Sequence, residues 1–127
     1  MPQTAFITGA DRGLGFALTT QLLEQGWQVI AGQYLPDWPD LAALVGQFPT
    51  MLHSVSLDVG AEESVRAAAA AAMAVTDRID LVISNAGVGS PTSQRSIREP
   101  QDFGEMHRLY DVNALGVLRV WSARCCR

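Results

Sequence analysis

The stretch that decides the fold is Thr4-Ala5-Phe6-Ile7-Thr8-Gly9-Ala10-Asp11-Arg12-Gly13-Leu14-Gly15. Thr4 to Thr8 is short, apolar and rich in strand formers. Three glycines follow, at positions 9, 13 and 15. Leu14, Ala17, Leu18 and Leu22 then recur at helical spacing and stop near Gly26, a natural residue just past a helix end. A glycine pattern placed between a strand and a helix predicts a phosphate site, because free N–H groups and the helix dipole both favour an anion there. Gly9 permits the tight turn out of the strand. Gly13 lets the backbone approach a pyrophosphate, and Gly15 lets the helix pack closely on the sheet. Taken alone, the same pattern is also compatible with an ordinary glycine-rich turn.

Outward from this stretch, strands and helices alternate. Trp27 to Ala31 reads as a second strand. Tyr34 to Asp40 is a loop with two prolines, in which Asp37 or Asp40 is placed to cap a helix around Leu41 to Gly46. Val55, Leu57 and Val59 alternate with Ser56 and Asp58 in a third strand. Glu62 to Val75 is strongly helical, with six consecutive alanines, Ala67 to Ala72. Ile79 to Ser84 is a nearly all-apolar fourth strand, as expected where both sheet faces are covered. Gly87 to Pro100 is a polar loop, and Asp102 to about Val120 reads as one further helix. This order predicts an α/β fold: a Rossmann-like doubly wound parallel sheet with right-handed crossovers and strand order 3-2-1-4.

Composition narrows the function classes. With 127 residues and 48% hydrophobic content, the chain suits one globular domain. Nine basic residues against 13 acidic give a net charge of −4, a poor start for a nucleic-acid binder. No apolar run approaches the ~20 residues of a membrane span. The first residues show no basic leader with an apolar core, so the expectation is a cytoplasmic, unprocessed chain without a membrane partner. The two cysteines, Cys125 and Cys126, are adjacent and read as reduced thiols on a loose tail. With His53 and His107 far away, no metal-ligand spacing is recognisable.

The spacing Gly-x-x-x-Gly-x-Gly, introduced by Thr8-Gly9, resembles that of the short-chain dehydrogenase/reductase family. Further landmarks match in order, covering Thr4 to about Val120. Leu57-Asp58-Val59 closes the third strand, where that family keeps an Asp beside the adenine ring. Asn85-Ala86-Gly87 follows the fourth strand and is similar to the family's Asn-Ala-Gly element, although Ser84 replaces the usual preceding Asn. Val112-Asn113 with Gly116 resembles the helix carrying the family's structural and proton-relay Asn.

The resemblance implies a nicotinamide dinucleotide held by Gly9, Arg12, Gly13, Leu14, Gly15, Asp58, Val59, Asn85, Ala86 and Gly87, with Asn113 on the catalytic side. Elementary chemistry leaves alternatives open. Asp58, at a strand's C-terminal end, can accept an adenine amino proton or cap the alanine-rich helix. Asn85 can bond adjacent strand ends, with Ala86 and Gly87 leaving room for a ribose, or simply make a turn. Asn113 costs helix propensity, which points to a role, but it also fits a solvated surface amide. Arg12 resembles the basic residue by which NADP-using members grip the 2′-phosphate, and it also fits an exposed loop arginine. The second strand runs into Gly32, Gln33 and Tyr34 rather than an acid that would bond a ribose 2′-hydroxyl. Asp37 comes only later and serves the turn. The expected cofactor is therefore NADP, with NAD as the alternative.

One departure from the family is large. Its reaction is hydride transfer between the nicotinamide and a carbonyl or alcohol carbon, with a Ser and a Tyr-x-x-x-Lys as acid/base machinery. Neither Tyr34 nor Tyr110 begins such a motif, and all nine basic residues are arginines. After Val117, Leu118 and Val120, the run Trp121 to Arg127 breaks the helix pattern. The expectation is the cofactor-binding half of the domain over residues 1–127, from a truncated, frame-shifted or partial sequence, inactive by itself. A small carbonyl or alcohol substrate then belongs to a fuller form only. The alternative is a non-catalytic dinucleotide-binding module or an interaction fragment, and the exposed fourth strand offers an edge for homo-oligomers.

Overall fold

β1 (Thr4–Ile7) is buried along its whole length, as expected for a strand covered on both faces. The computed structural model describes residues 1–123. Cys125 and Cys126, and the reading of them as free thiols, lie outside the described residues. β1 pairs in parallel with β2 (Gln28–Gln33) on one side and β4 (Leu81–Ile83) on the other, and β2 pairs in parallel with β3 (Leu52–Ser56). The sheet order is β3-β2-β1-β4, the doubly wound order expected from the sequence.

Between the strands run α1 (Gly13–Glu24), α2 (Asp40–Gln47) and α3 (Glu62–Val75). Alternate strand residues feed two cores. Ile7, Val29, Ala31 and Leu52 pack with Leu23 of α1 and with Leu41 and Leu44 of α2. Phe6 and Ile30 pack on the other face with Val65, Ala68, Ala69 and Ala72 of α3 and with Val120. The small alanine side chains let α3 lie close to the sheet, so the alanine run is a packing device.

Several boundaries differ from the sequence reading, each for an identifiable reason. β3 ends at Ser56, so Leu57, Asp58 and Val59 form a turn rather than the strand's last residues. Leu57 N–H still reaches Gln33 O at 2.8 Å, but Asp58 N–H turns aside to the Ser64 hydroxyl at 2.8 Å. β2 extends to Gln33, and β4 is shorter than Ile79 to Ser84. Neither Asp37 nor Asp40 caps α2. Its cap residue is Pro39, without a side-chain bond, and Asp40 is the first helical residue, accepting Trp38 Nε1–H at 3.0 Å. The buried residues of α1 are Gly15, Thr19 and Leu23, while Leu14 is 67% exposed. Thr19 tolerates burial because its hydroxyl donates to Gly15 O at 2.8 Å.

The single helix read from Asp102 onward is three segments. Asp102 is the cap of α4 (Phe103–Tyr110), accepting Glu105 N–H at 2.9 Å. A π-turn, Asp111–Leu115, follows, and then α5 (Gly116–Ser122). Among the described residues, no helix is long and apolar enough to cross a membrane.

Candidate functional site

β1 and β4 end side by side, and the site is built where they stop. Thr8 N–H donates to Ile83 O at 3.0 Å. The Thr8 hydroxyl accepts the N–H groups of Asn85 and Ala86 at 3.0 and 2.9 Å. In return, Asn85 Nδ2 donates to Thr8 O and Gly9 O at 3.2 and 3.0 Å. Five hydrogen bonds thus stitch the two strand ends together, and Asn85 is a tie rather than an isolated turn residue.

Gly9 and Gly15 show what this geometry requires. Gly9 has φ +62°, a conformation that side chains disfavour. A Cβ on Gly15 would stand 2.1 Å from Gly9 O. Gly15 therefore closes the loop against its own first residue, rather than only fitting the helix to the sheet. Ala10 N–H donates to Gly32 O at 2.8 Å, and the buried Asp11 carboxylate accepts Tyr34 N–H at 3.2 Å and Leu35 N–H at 2.8 Å. The glycine loop is thereby pinned to the end of β2.

A cavity of about 510 Å³ opens over these strand ends, a size typical of ligand sites. The glycine loop contributes Gly9, Asp11, Arg12 and Gly13 to its lining. The turn after β3 contributes Leu57, Asp58, Val59 and Gly60, and the turn after β4 contributes Asn85, Ala86, Gly87 and Val88. Tyr34 lines it from the end of β2, and Arg108, Asp111 and Val112 line it from α4 and the π-turn. Of the residues singled out in the sequence, Leu14 and Gly15 stand outside the lining. Asn113 also stands outside, but it holds a lining residue in place. Its Oδ1 accepts Val88 N–H at 2.8 Å and its Nδ2 donates to Val88 O at 2.9 Å.

Asp58 does not cap α3, whose cap residue is Ala61 without a side-chain bond. Its Oδ1 instead accepts Gly60 N–H at 2.8 Å, which shapes the turn. Arg12, the residue before α1, is exposed and borders the cavity.

Sequence reasoning did not place Asp11, Tyr34, Leu57, Gly60, Val88, Arg108, Asp111 and Val112 among the site residues, although Leu57 and Val112 stand in the quoted landmarks. Arg108 grips Glu105 side-on, with Nε–Oε2 and Nη2–Oε1 both at 2.9 Å, and reaches Gly89 O at 3.4 Å. These arginine donors, and then the Ser90 hydroxyl, hold the Glu105 carboxyl at about 2, well below its ordinary value of 4.5. The i, i+3 spacing of Glu105 and Arg108 was a legible signal for that pair. Among the described residues, no group of three or more His, Cys, Asp or Glu side chains could hold a metal ion.

The chain matches the family of short chain dehydrogenases over residues 3–125. It belongs to that oxidoreductase family. It is 38% identical over 117 residues to human retinol dehydrogenase 16, covering 91% of this chain and 35% of that one. The NADPH-bound carbonyl reductase from chicken fatty liver superposes with a TM-score of 0.85 at 26% identity, over 96% of this chain and 50% of that one. The NADH complex of 3-ketoacyl-(acyl-carrier-protein) reductase from Brucella melitensis gives 0.78 at 27% identity, over 94% and 47%. The short-chain dehydrogenase chain described here spans less than half the length of the curated relatives it matches.

Proposed function

We propose that residues 1–127 form the dinucleotide-binding half of an oxidoreductase that moves hydride between a nicotinamide and a carbonyl or alcohol carbon, with NADP preferred over NAD. One observation carries this reading. The cavity sits at the C-terminal ends of β1 and β4, with the glycine loop and the start of α1 on its floor, the place where dinucleotides lie in open α/β sheets. The carbonyl reductase that superposes on this chain carries NADPH, and the ketoacyl reductase carries NADH.

Gly9, Gly13 and the first amides of α1 receive the pyrophosphate. Asp58 and Val59 face the adenine. Asn85, Ala86 and Gly87 border the ribose, and Asn113 fixes the turn beyond them. Leu14 and Gly15 act through the shape of the loop. Arg12 faces the 2′-phosphate, where a guanidinium makes a charge-assisted, bidentate contact. The end of β2 runs Gly32-Gln33-Tyr34, without an acid to select a 2′-hydroxyl, and the nearby Asp11 turns Oδ2 to the amides of Tyr34 and Leu35. Bound cofactor supplies the hydride chemistry. The substrate is a small carbonyl or alcohol compound bound by a fuller form, and the compartment is the cytoplasm.

Calorimetric titration of the chain with NADP⁺ and NAD⁺ tests the binding reading, and binding of neither would overturn it. The 127 residues hold no Tyr-x-x-x-Lys. Proton transfer contributes ~10²–10⁴-fold to such reactions, so these residues alone are expected to show no carbonyl reduction, and measured turnover would overturn that expectation.

A further inference from the structure

The turn that forms one wall of the cavity lies beyond the end of β3, tied to the sheet through Leu57 N–H on Gln33 O at 2.8 Å. Past Leu57 its local ties come from Ser64, which accepts Asp58 N–H, from the Asp58 carboxylate, which accepts Gly60 N–H, and from Asp58 O, which accepts Ala61 N–H at 3.1 Å. The facing wall is the π-turn with Asp111 and Val112. Arg119, on α5, reaches both walls. Its Nη1 donates to Val59 O at 3.1 Å and to Asp111 O at 3.1 Å, and its Nη2 donates to Asp111 Oδ1. Asp111 O is also the acceptor of Gly116 N–H, the hydrogen bond that defines the π-turn.

We infer that Arg119 is a positioning residue for the adenine subsite. It sets the distance between the Asp58–Gly60 turn and the π-turn, and it orients the Asp111 carboxylate beside Asp58. The inference rests on the dinucleotide reading given above. A point one bond out from Gly60 shows the arrangement: Asp58 Oδ1 stands 3.2 Å from it and Asp111 Oδ2 3.9 Å. Asp111 is tied to Arg119 through Oδ1, so Oδ2 is the oxygen turned toward this wall. Two carboxylates held at one edge suit an exocyclic amine, which donates two protons, and oppose a keto oxygen. Contact is close on the apolar side as well, where a Cβ on Gly116 would stand 2.9 Å from Val59 Cγ2. A planar guanidinium bridges two carbonyls and a carboxylate at once. An apolar side chain of similar length bridges none of them.

The test compares NADP⁺ with its hypoxanthine analogue, which has a keto group in place of the amine, on wild type, Arg119→Met and Arg119→Lys. Wild type should favour the adenine form. Arg119→Met should cut that preference about tenfold, the loss of one hydrogen bond to a charged group. Arg119→Lys keeps a charge and three donors and should recover part of it. A purely structural role would weaken both dinucleotides equally, and an unchanged preference in Arg119→Met overturns the inference.

Amide hydrogen exchange without ligand gives an independent readout. Arg119→Met should speed exchange at residues 57–60 and 111–116 while the β1 and β2 amides keep their protection. Unchanged exchange in both segments overturns the inference. If wild type binds neither dinucleotide, the dinucleotide reading fails, and the exchange pattern still decides whether Arg119 sets the two walls. If Arg119→Met does not fold, Arg119→Lys is judged by the same two criteria.

Discussion

Asn113 engages both backbone polar groups of Val88, accepting its N–H at 2.8 Å and donating to its C=O at 2.9 Å. An amide side chain that mimics a strand neighbour in this way fixes a loop without a strand. Replacing it with leucine removes two neutral hydrogen bonds, together about 1–2 kcal/mol of stability. Urea denaturation of Asn113→Leu should show that loss, and an unchanged midpoint would assign the clamp no energetic weight.

Gly15→Ala is expected to be far more severe than its chemistry suggests. The new methyl would stand 2.1 Å from Gly9 O, and a backbone carbonyl stitched through Asn85 has little room to retreat. Overpacking of this kind costs about 1–3 kcal/mol, and it should displace the loop enough to abolish dinucleotide binding. Calorimetry on the folded variant, checked by circular dichroism, reads both effects.

Arg12→Ala should remove most of the preference for NADP over NAD and leave NAD affinity nearly unchanged. The loss of a charge-assisted phosphate contact is worth ~1.5–3 kcal/mol. Equal affinity ratios before and after the substitution, measured by titration, would take the 2′-phosphate away from Arg12.

The Glu105–Arg108 pair should survive into acid. The folded carboxyl titrates at about 2 rather than 4.5, so the pair is fully present above the ordinary carboxylate range and is lost as pH falls through about 2. The Glu105 side-chain carbon, followed by NMR, should titrate near the lower value. Arg108→Met should move that midpoint upward, because the arginine is the first cause of the shift.

β4 stands at the edge of the sheet, and α4 and α5 carry Phe103, Tyr110 and Trp121 at 68%, 62% and 54% exposure. An unpaired edge beside apolar surface favours self-association. Sedimentation of the 127-residue chain at ~100 μM, above the micromolar range where exposed edges begin to associate, should show dimers or larger species. A monodisperse monomer would contradict this.

Legibility tracked whether a feature is decided locally. Glu62–Val75 was readable to the residue, because alanine propensity and the flanking residues set both ends without help. The glycine loop was readable because Gly9 and Gly15 are dictated by backbone geometry within seven positions. The π-turn was not, because its extra residue is maintained by Asn113 on Val88 and by Arg119 on Val59, contacts spanning 25 and 60 positions. Asp11 was missed for the same reason: the amides that occupy it lie 23 and 24 residues away. The end of β3 at Ser56 could not be read from alternation, since Leu57 and Val59 are buried in a turn as fully as they would be in a strand.

The stitch between Thr8 and Asn85 also constrains the order of events during synthesis. The glycine loop is made well before its partners, since the groups that saturate Thr8 and Gly9 arrive 76 to 78 residues later. At ~5–20 residues per second of translation, the loop waits several seconds on the ribosome for its partner. Contacts of such sequence separation are also slow to close. Phosphate-binding competence is therefore a late acquisition for a nascent chain of this sequence, gained only after β4 has emerged and paired with β1.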